Sequence, residues 1–294
     1  MHTLSKFPNL IIIISSFFWG TYWIPLRHIN VGGNESVWPI LASFFVLCLF
    51  LIKPIFSTIN KIAKEKNYYF LLGVSFSALA IALYSESLIR GEIAEVIILF
   101  YLCPVWGTIL AKIILKKNFN FQRYLSLILG IIGLEVILGI DKGIILPTSI
   151  SSWMALVGGF SWALGITFFH LSETSKGIEK TSLTALILPF LFLLLTLIPE
   201  GRETKFNNLF IVNNDIFIWI FLFSVLWLLP SMFLTFTSAE ILDPGRINIL
   251  LMFEVIVAIS SAALFTNEII GIREMIGATL IISAATVDLI KFKT

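Results

Sequence analysis

Ten apolar stretches, each long enough to cross a lipid bilayer as a helix, fill most of this 294-residue chain. A helix needs about 20 residues, each rising about 1.5 Å, to cross about 30 Å of hydrocarbon. The stretches are continuous rather than alternating in polarity, so they predict an all-α integral membrane protein and not a membrane barrel of strands. We place the predicted spans at residues 8–28, 36–56, 68–89, 93–115, 121–141, 151–172, 181–199, 215–238, 246–265 and 270–290.

The composition agrees with a chain that faces lipid. Only 13% of the residues are charged, whereas 58% are hydrophobic. Soluble domains carry about 25% charged residues, so this chain has too few charges to cover a soluble surface. The basic residues are spread over short loops rather than gathered in one patch, so the sequence does not predict a nucleic-acid partner. Cys48 and Cys103 lie in apolar runs and are expected to be small buried hydrophobes, and the sequence predicts neither a metal nor another cofactor.

The lysines and arginines are divided unevenly between the two sides of the predicted bundle. Positive residues accumulate in the cytoplasmic loops of membrane proteins. We therefore expect a multi-pass protein of the inner (cytoplasmic) membrane with both termini in the cytoplasm, and with the first span retained rather than cleaved as a signal peptide. The expected inner set holds 14 of the 20 basic residues: Lys6, Lys53, Lys61, Lys64, Lys66, Lys112, Lys116, Lys117, Arg123, Lys176, Lys180, Arg246, Lys291 and Lys293.

Motifs of the first five spans recur in the second five. Phe17-Phe18-Trp19-Gly20 begins one half, and Phe160-Ser161-Trp162-Ala163 begins the other. Because five is an odd number, the two halves must enter the membrane from opposite sides. The sequence thus predicts a 5+5 inverted-topology repeat, residues 1–143 and 144–294, with a solute site near the midplane between the halves. The same spacing, 13 residues and then 16, separates Pro104, Lys117 and Gly133 in the first half and Val255, Glu268 and Ala284 in the second.

These motifs resemble the EamA family of the drug/metabolite transporter superfamily, of the ten-helix type. The matching segments are Tyr84, Leu99–Trp106 (LFYLCPVW), Gly133, Ala239–Glu254 (AEILDPGRINILLMFE), Thr266-Asn267-Glu268 and Gly277–Leu280. The resemblance implies ten membrane helices and transport of metabolites, often the export of amino acids and related solutes. The sequence departs from the family pattern at Lys117, Ser126 and Val255, and we expect the first half to match less well for that reason.

Glu254 is the most informative polar residue inside a predicted span. It follows Arg246 by eight residues, which places it about 12 Å into the membrane, near the midplane. A charge in hydrocarbon costs about 3 kcal/mol or more, so it needs an explanation. Glu254 is predicted to contact the substrate and is the candidate for proton coupling. The alternative is a structural carboxylate that is hydrogen-bonded to a neighbouring helix.

Aromatic residues at similar depth complete the predicted site. Trp at mid-depth is unusual, because its normal position is the membrane interface. The alternative for the two tryptophans Trp19 and Trp162 is helix packing. The predicted substrate-binding residues are Trp19, Tyr22, Trp23, Tyr84, Tyr101, Trp162 and Glu254.

Other ionisable residues receive structural predictions. Glu86 is expected to pair with Arg90 one turn later. Glu95 is expected to be solvated near the outer surface, and Glu135 to lie outside the site, where the peripheral fifth and tenth spans allow contact between helices or in a homodimer. The acids at the ends of spans are expected to be solvated; they are Glu173, Glu240, Asp243, Glu268 and Asp288.

The functional hypothesis is a secondary transporter that moves a small polar or amphipathic metabolite, such as an amino acid or a related ammonium solute, by alternating access. Its expected partners are this solute and the lipid bilayer. Two alternatives stay open, an exporter of other metabolites or drugs and a non-transporting receptor or scaffold. An intramembrane enzyme is disfavoured because the chain has no HExxH, GxSxG or Walker motif.

Overall fold

The computed structural model describes residues 7–29, 37–91, 93–118, 120–138, 147–172, 175–198, 215–266 and 271–289, and the regular structure within these ranges is helical. A π-helical segment, Phe223–Leu228, joins two of the helices. The helices are α1 (Pro8–Gly20), α2 (Trp23–Ile29), α3 (Val37–Phe50), α4 (Ile52–Glu65), α5 (Tyr68–Arg90), α6 (Ile93–Phe100), α7 (Cys103–Ile113), α8 (Phe121–Leu138), α9 (Ile150–Leu171), α10 (Gly177–Thr196), α11 (Asp215–Leu222), α12 (Leu229–Ser238), α13 (Pro244–Leu251), α14 (Phe253–Thr266) and α15 (Ile272–Leu289).

The predicted fold class, an all-α membrane protein, is confirmed. In the described ranges, seven helical segments are long and apolar enough to cross a membrane, or eight if the bent pair α3–α4 is one span. That number does not include α8 and α15, which have 18 residues each. The count of ten spans and the inverted repeat therefore stay predictions. The predicted boundary between the halves lies outside the described residues, as does most of the Thr266-Asn267-Glu268 motif. Three basic residues that are predicted to face outward, Lys142, Arg202 and Lys205, also lie outside the described residues.

The second predicted span is not one straight helix. Its chain bends by 70° between α3 and α4, close to Leu51. Pro54 has no backbone N–H, so it cannot donate to the carbonyl group of Phe50, and its ring crowds the preceding turn. The prediction of a continuous helix over 36–56 is corrected to a broken one, in which α4 continues to Glu65.

The seventh span begins at Gly177 and not at residue 181 as predicted. The prediction placed Lys180 just before this span, among the basic residues of the cytoplasmic side. In the structure the Lys180 side chain is fully buried, its Nζ donates to the Phe169 carbonyl oxygen at 3.0 Å, and it lies 5.5 Å from the centre of the Phe169 ring. A buried carbonyl acceptor and an aromatic face together allow the ammonium group to enter the helix.

The helices form a central bundle and a peripheral pair, α8 and α15. α5 packs against α9 and α10, and α1 packs against α12, α13 and α14. α8 and α15 pack mainly against one another through Gly133 and Gly277. A methyl group at Gly277 would lie 2.5 Å from the Gly133 carbonyl oxygen, so the two backbones touch. The contact between α8 and α15 therefore depends on two glycines.

Most charged groups of the described residues lie at one end of the bundle, which we call the basic end. It is the end at which α4, α7, α9, α12 and α15 finish and α5, α8, α10 and α13 begin. There Arg123 pairs with Asp243 and with Asp288 at 3.0 Å each, and Arg246 pairs with Asp288 at 2.9 Å. The prediction that Asp243 and Asp288 are simply solvated is wrong, because the neighbouring guanidinium groups bind them.

The opposite end holds a buried ion pair. Arg90 Nε lies 2.8 Å from Glu86 Oε2, as predicted, and both side chains are buried. The Arg90 guanidinium also donates to the carbonyl oxygens of Leu195 and Ile198 at the end of α10. The pair therefore ties α5 to α10 at this end.

Candidate functional site

Three spans lose their regular helical hydrogen bonding at one level of the bundle. α1 and α2 are separated at Thr21 and Tyr22, α6 and α7 at Tyr101 and Leu102, and α13 and α14 at Met252. Tight bonds between residues three apart close each break, from Tyr22 N to Trp19 O, from Leu102 N to Leu99 O and from Met252 N to Ile249 O. Such 3₁₀-like turns inside a helix often mark functional positions.

The sequence explains one of these breaks well. Pro104 lies in the first turn of α7, where a missing N–H is tolerated, and it prevents α6 from continuing regularly. The corresponding position in the ninth span is Val255, and the span breaks at Met252 without a proline. Both spans therefore break just before the positions that the predicted repeat pairs with each other, Pro104 and Val255.

The three breaks surround a cavity. The space that the centre of a water molecule can occupy in it is about 20 Å³, enough for about one water molecule. A metabolite needs far more, so side chains must move before one can bind. The residues that line the cavity are Trp19, Ile81, Tyr84, Phe100, Tyr101, Cys103, Trp162, Leu251 and Glu254.

Aromatic rings form most of the cavity wall. The rings of Trp19 and Trp162 meet edge to face with centroids 5.7 Å apart, and Tyr22 stacks on Trp19 at the same separation. The Trp19 indole N–H donates to Thr235 Oγ1 at 3.3 Å, which holds the ring in place. Tyr84 packs against Phe100 with centroids 4.4 Å apart.

Glu254 is the carboxylic acid among the described residues that line the cavity. The Tyr101 and Tyr84 side chains lie close enough to Glu254 to interact with its charge. A methyl group at Gly20 would lie 2.5 Å from the Glu254 carbonyl oxygen, so α1 and α14 touch beside this carboxylate. Gly20 thus positions the Trp19 side of the cavity against Glu254.

The structure brings most of the predicted site residues together. Five of the seven line the cavity: Trp19, Tyr84, Tyr101, Trp162 and Glu254. Tyr22 lies immediately behind Trp19, with its hydroxyl 3.4 Å from Ser85 Oγ. Trp23 lies apart from the cavity, because its indole N–H donates to Ser261 Oγ at 3.0 Å.

Four cavity residues were missed by the sequence reading of the site. Ile81, Phe100, Cys103 and Leu251 are apolar or weakly polar, and nothing in their type separates them from the many other apolar residues of the spans. A signal was present for Cys103, which precedes Pro104 and therefore lies at a helix break.

Two other carboxylates were predicted from depth alone. Glu95 is not simply solvated, because Ser152 Oγ donates to its Oε1. Glu135 is half-buried on α8, in the peripheral helix pair, and is not among the cavity residues.

The EamA-like transporter family has a model that matches residues 6–139 of this chain. The match covers the half in which the sequence departs from the family pattern at Lys117 and Ser126, so the expectation of a weak first half is not supported. A protein of known crystal structure is similar to this chain, with 13% sequence identity and a TM-score of 0.75. The similarity covers 97% of this chain and 96% of the other. At that identity the likeness concerns the fold alone. No curated protein matches the chain.

Proposed function

We propose that the chain, whose first half matches the EamA-like transporter family, is a secondary transporter that moves a small ammonium-bearing metabolite by alternating access. An amino acid or a related amine is the solute class that we favour. The basic end carries Lys64, Lys117 and Arg123, and by the positive-inside rule it faces the cytoplasm. Both termini are then cytoplasmic, and the membrane is the inner one.

The observation that supports this solute class is the setting of Glu254. Its carboxylate lies among the rings of Trp19, Tyr84, Tyr101 and Trp162. A carboxylate attracts an ammonium group strongly where water is largely excluded, and the faces of Trp and Tyr rings add a cation–π attraction. The same residues give little support to a solute that carries only negative charge.

The helix breaks support the alternating-access part of the proposal. Secondary transporters with repeated halves bind their solutes near the midplane, where discontinuous helices meet. Here the fourth and ninth spans occupy corresponding places in the two predicted halves, and both break beside the cavity. The short half-helix on one side of such a break can tilt while the rest of the span keeps its position.

Uptake into proteoliposomes tests the proposed function. We expect Glu254→Gln to lower uptake of the transported solute by about 10- to 100-fold, because a charged hydrogen bond contributes about 1.5–3 kcal/mol. Glutamine keeps the shape and most neutral hydrogen bonds, so yield and folding should hold. Glu135→Gln is the matched control, since Glu135 lies in the peripheral helix pair, and it should transport like the parent. Equal uptake by the parent and Glu254→Gln would contradict the role of this carboxylate.

Counterflow separates binding from proton coupling. Exchange of labelled for unlabelled solute needs no net proton movement. If Glu254 carries the coupled proton, Glu254→Gln should lose the pH dependence of uptake and keep counterflow. If Glu254 instead binds the ammonium group directly, counterflow should fall as well. Normal uptake with an unchanged pH profile would contradict both roles.

A further inference from the structure

Two buried polar side chains lie where α7 packs against α13. Thr108 is 4% exposed and Asn248 is fully buried. Thr108 Oγ1 and both amide atoms of Asn248 have no hydrogen-bond partner among the residues that the structure describes. A buried polar group without a partner costs about 1–3 kcal/mol. Three such atoms in one seam therefore need an explanation that close packing does not supply.

The seam continues directly from the cavity toward the basic end. Leu251 lines the cavity, and Asn248 lies one turn before it on the same face of α13. On α7, Cys103 lines the cavity and Gly107 lies one turn after it. A methyl group at Gly107 would collide with the Asn248 amide, so these faces touch.

Charged groups close the seam at the basic end. A methyl group at Gly245 would lie 3.1 Å from Thr108 Oγ1, 3.1 Å from Arg123 Nη1 and 3.3 Å from Asp243 Oδ1. These groups thus converge on one point at the mouth of the seam. Arg123 belongs to the first predicted half, whereas Asp243 and Asp288 belong to the second, and its ion pairs hold the two halves together there.

The other parts of the same two spans separate. α7 packs against α13 on the basic side of the cavity, whereas beyond the breaks α6 packs mainly against α9 and α14 mainly against α1. The structure is therefore tightly closed between these spans on the basic side.

We propose that the seam between α7 and α13 is the half of the solute path that leads to the basic end. Thr108 and Asn248 bind the polar groups of the passing solute, since a hydroxyl and an amide both donate and accept hydrogen bonds. The ion pairs of Arg123 with Asp243 and Asp288 hold the seam shut. This inference rests on the proposed transport function and assigns it a route and a second binding position.

Cysteine labelling in membrane vesicles tests the route without knowledge of the solute. Thr108→Cys and Asn248→Cys are made singly, with Cys48 and Cys103 replaced by alanine, and are treated with a membrane-impermeant maleimide. Lys64→Cys marks the basic end. Thr167→Cys is the matched control, because Thr167 is also fully buried near this end but donates to the Ala163 carbonyl of its own helix.

Each variant is also combined with Asp243→Asn. Asparagine keeps the helix cap that Asp243 provides to Arg246 N at 3.1 Å and removes the charge that binds Arg123. We expect Thr108→Cys and Asn248→Cys to react only from the side that labels Lys64→Cys, at least about tenfold faster than Thr167→Cys. Asp243→Asn should raise their rates several-fold and leave that of Thr167→Cys unchanged.

Rates no higher than that of Thr167→Cys at both positions, in both backgrounds, would overturn the route, and so would labelling from the opposite side. Because two positions are tested, a folding failure of one variant leaves the other informative. Failure of the route is distinguishable from failure of the proposed function. An unreactive seam in a protein that takes up solute removes the route alone. A reactive seam in a protein that takes up no ammonium-bearing solute contradicts the proposed function and leaves a water-accessible seam without a role in transport.

Discussion

At the scale of single residues, Glu86 and Glu254 are two carboxylates inside the spans with different surroundings. Glu86 and Arg90 neutralise each other at 2.8 Å, and the guanidinium also binds two carbonyl oxygens of α10. Glu254 has a hydroxyl and aromatic rings around it, and it borders a cavity. The first arrangement holds helices together, whereas the second is suited to reversible binding of a cation.

A double-mutant cycle should show that the first pair is structural. Arg90→Gln leaves a buried carboxylate without its cationic partner, which costs about 3–5 kcal/mol in such pairs. We expect the double variant Glu86→Gln/Arg90→Gln to lose less stability than Arg90→Gln alone. Thermal unfolding of the purified variants measures this, and a double variant that is less stable than Arg90→Gln would argue against the pairing.

At the scale of helices, breaks and close contacts decide where the cavity lies. Pro104 signals one break in the sequence, whereas the break at Met252 has neither proline nor glycine beside it. It arises from tertiary contacts, such as that of Gly20 with the Glu254 carbonyl oxygen, which a single sequence does not show. The peripheral pair α8–α15 was easier to anticipate, because glycine spacing in an apolar helix predicts close packing. A homodimer through this pair stays a prediction.

The contact between α8 and α15 makes a second stability prediction. Gly277→Val places its Cβ 2.5 Å from the Gly133 carbonyl oxygen, so the helices must separate. Overpacking of this kind costs about 1–3 kcal/mol. Thr279→Val, two residues away on the exposed face, should change stability by less than about 0.5 kcal/mol. Thermal unfolding compares them, and equal melting temperatures for the two variants would mean that this contact is not tight.

At the scale of the whole molecule, the membrane fold was predictable because lipid demands long apolar helices, and these are visible in any window of the sequence. Much of the site was also predictable, since a carboxylate and tryptophans at mid-depth are costly enough to need a reason. The buried Lys180 and the Arg123 ion pairs were not predictable, because each depends on a partner in another helix. The bend after α3 had a local signal in Pro54 that the span prediction did not use. Charges at helix ends look alike in sequence whether water or another side chain binds them.

Ligand-induced stabilisation tests the central claim most directly, because it measures binding without transport. Purified protein is heated with zwitterionic amino acids, polyamines and betaines, and the melting temperature is recorded. A ligand at 100 times its Kd stabilises the folded state by about 2.7 kcal/mol. The account predicts that an ammonium-bearing solute raises the melting temperature of the parent and of Glu135→Gln, and that the rise disappears in Glu254→Gln. A rise of equal size in the parent and in Glu254→Gln would contradict the claim that this cavity binds the solute through Glu254.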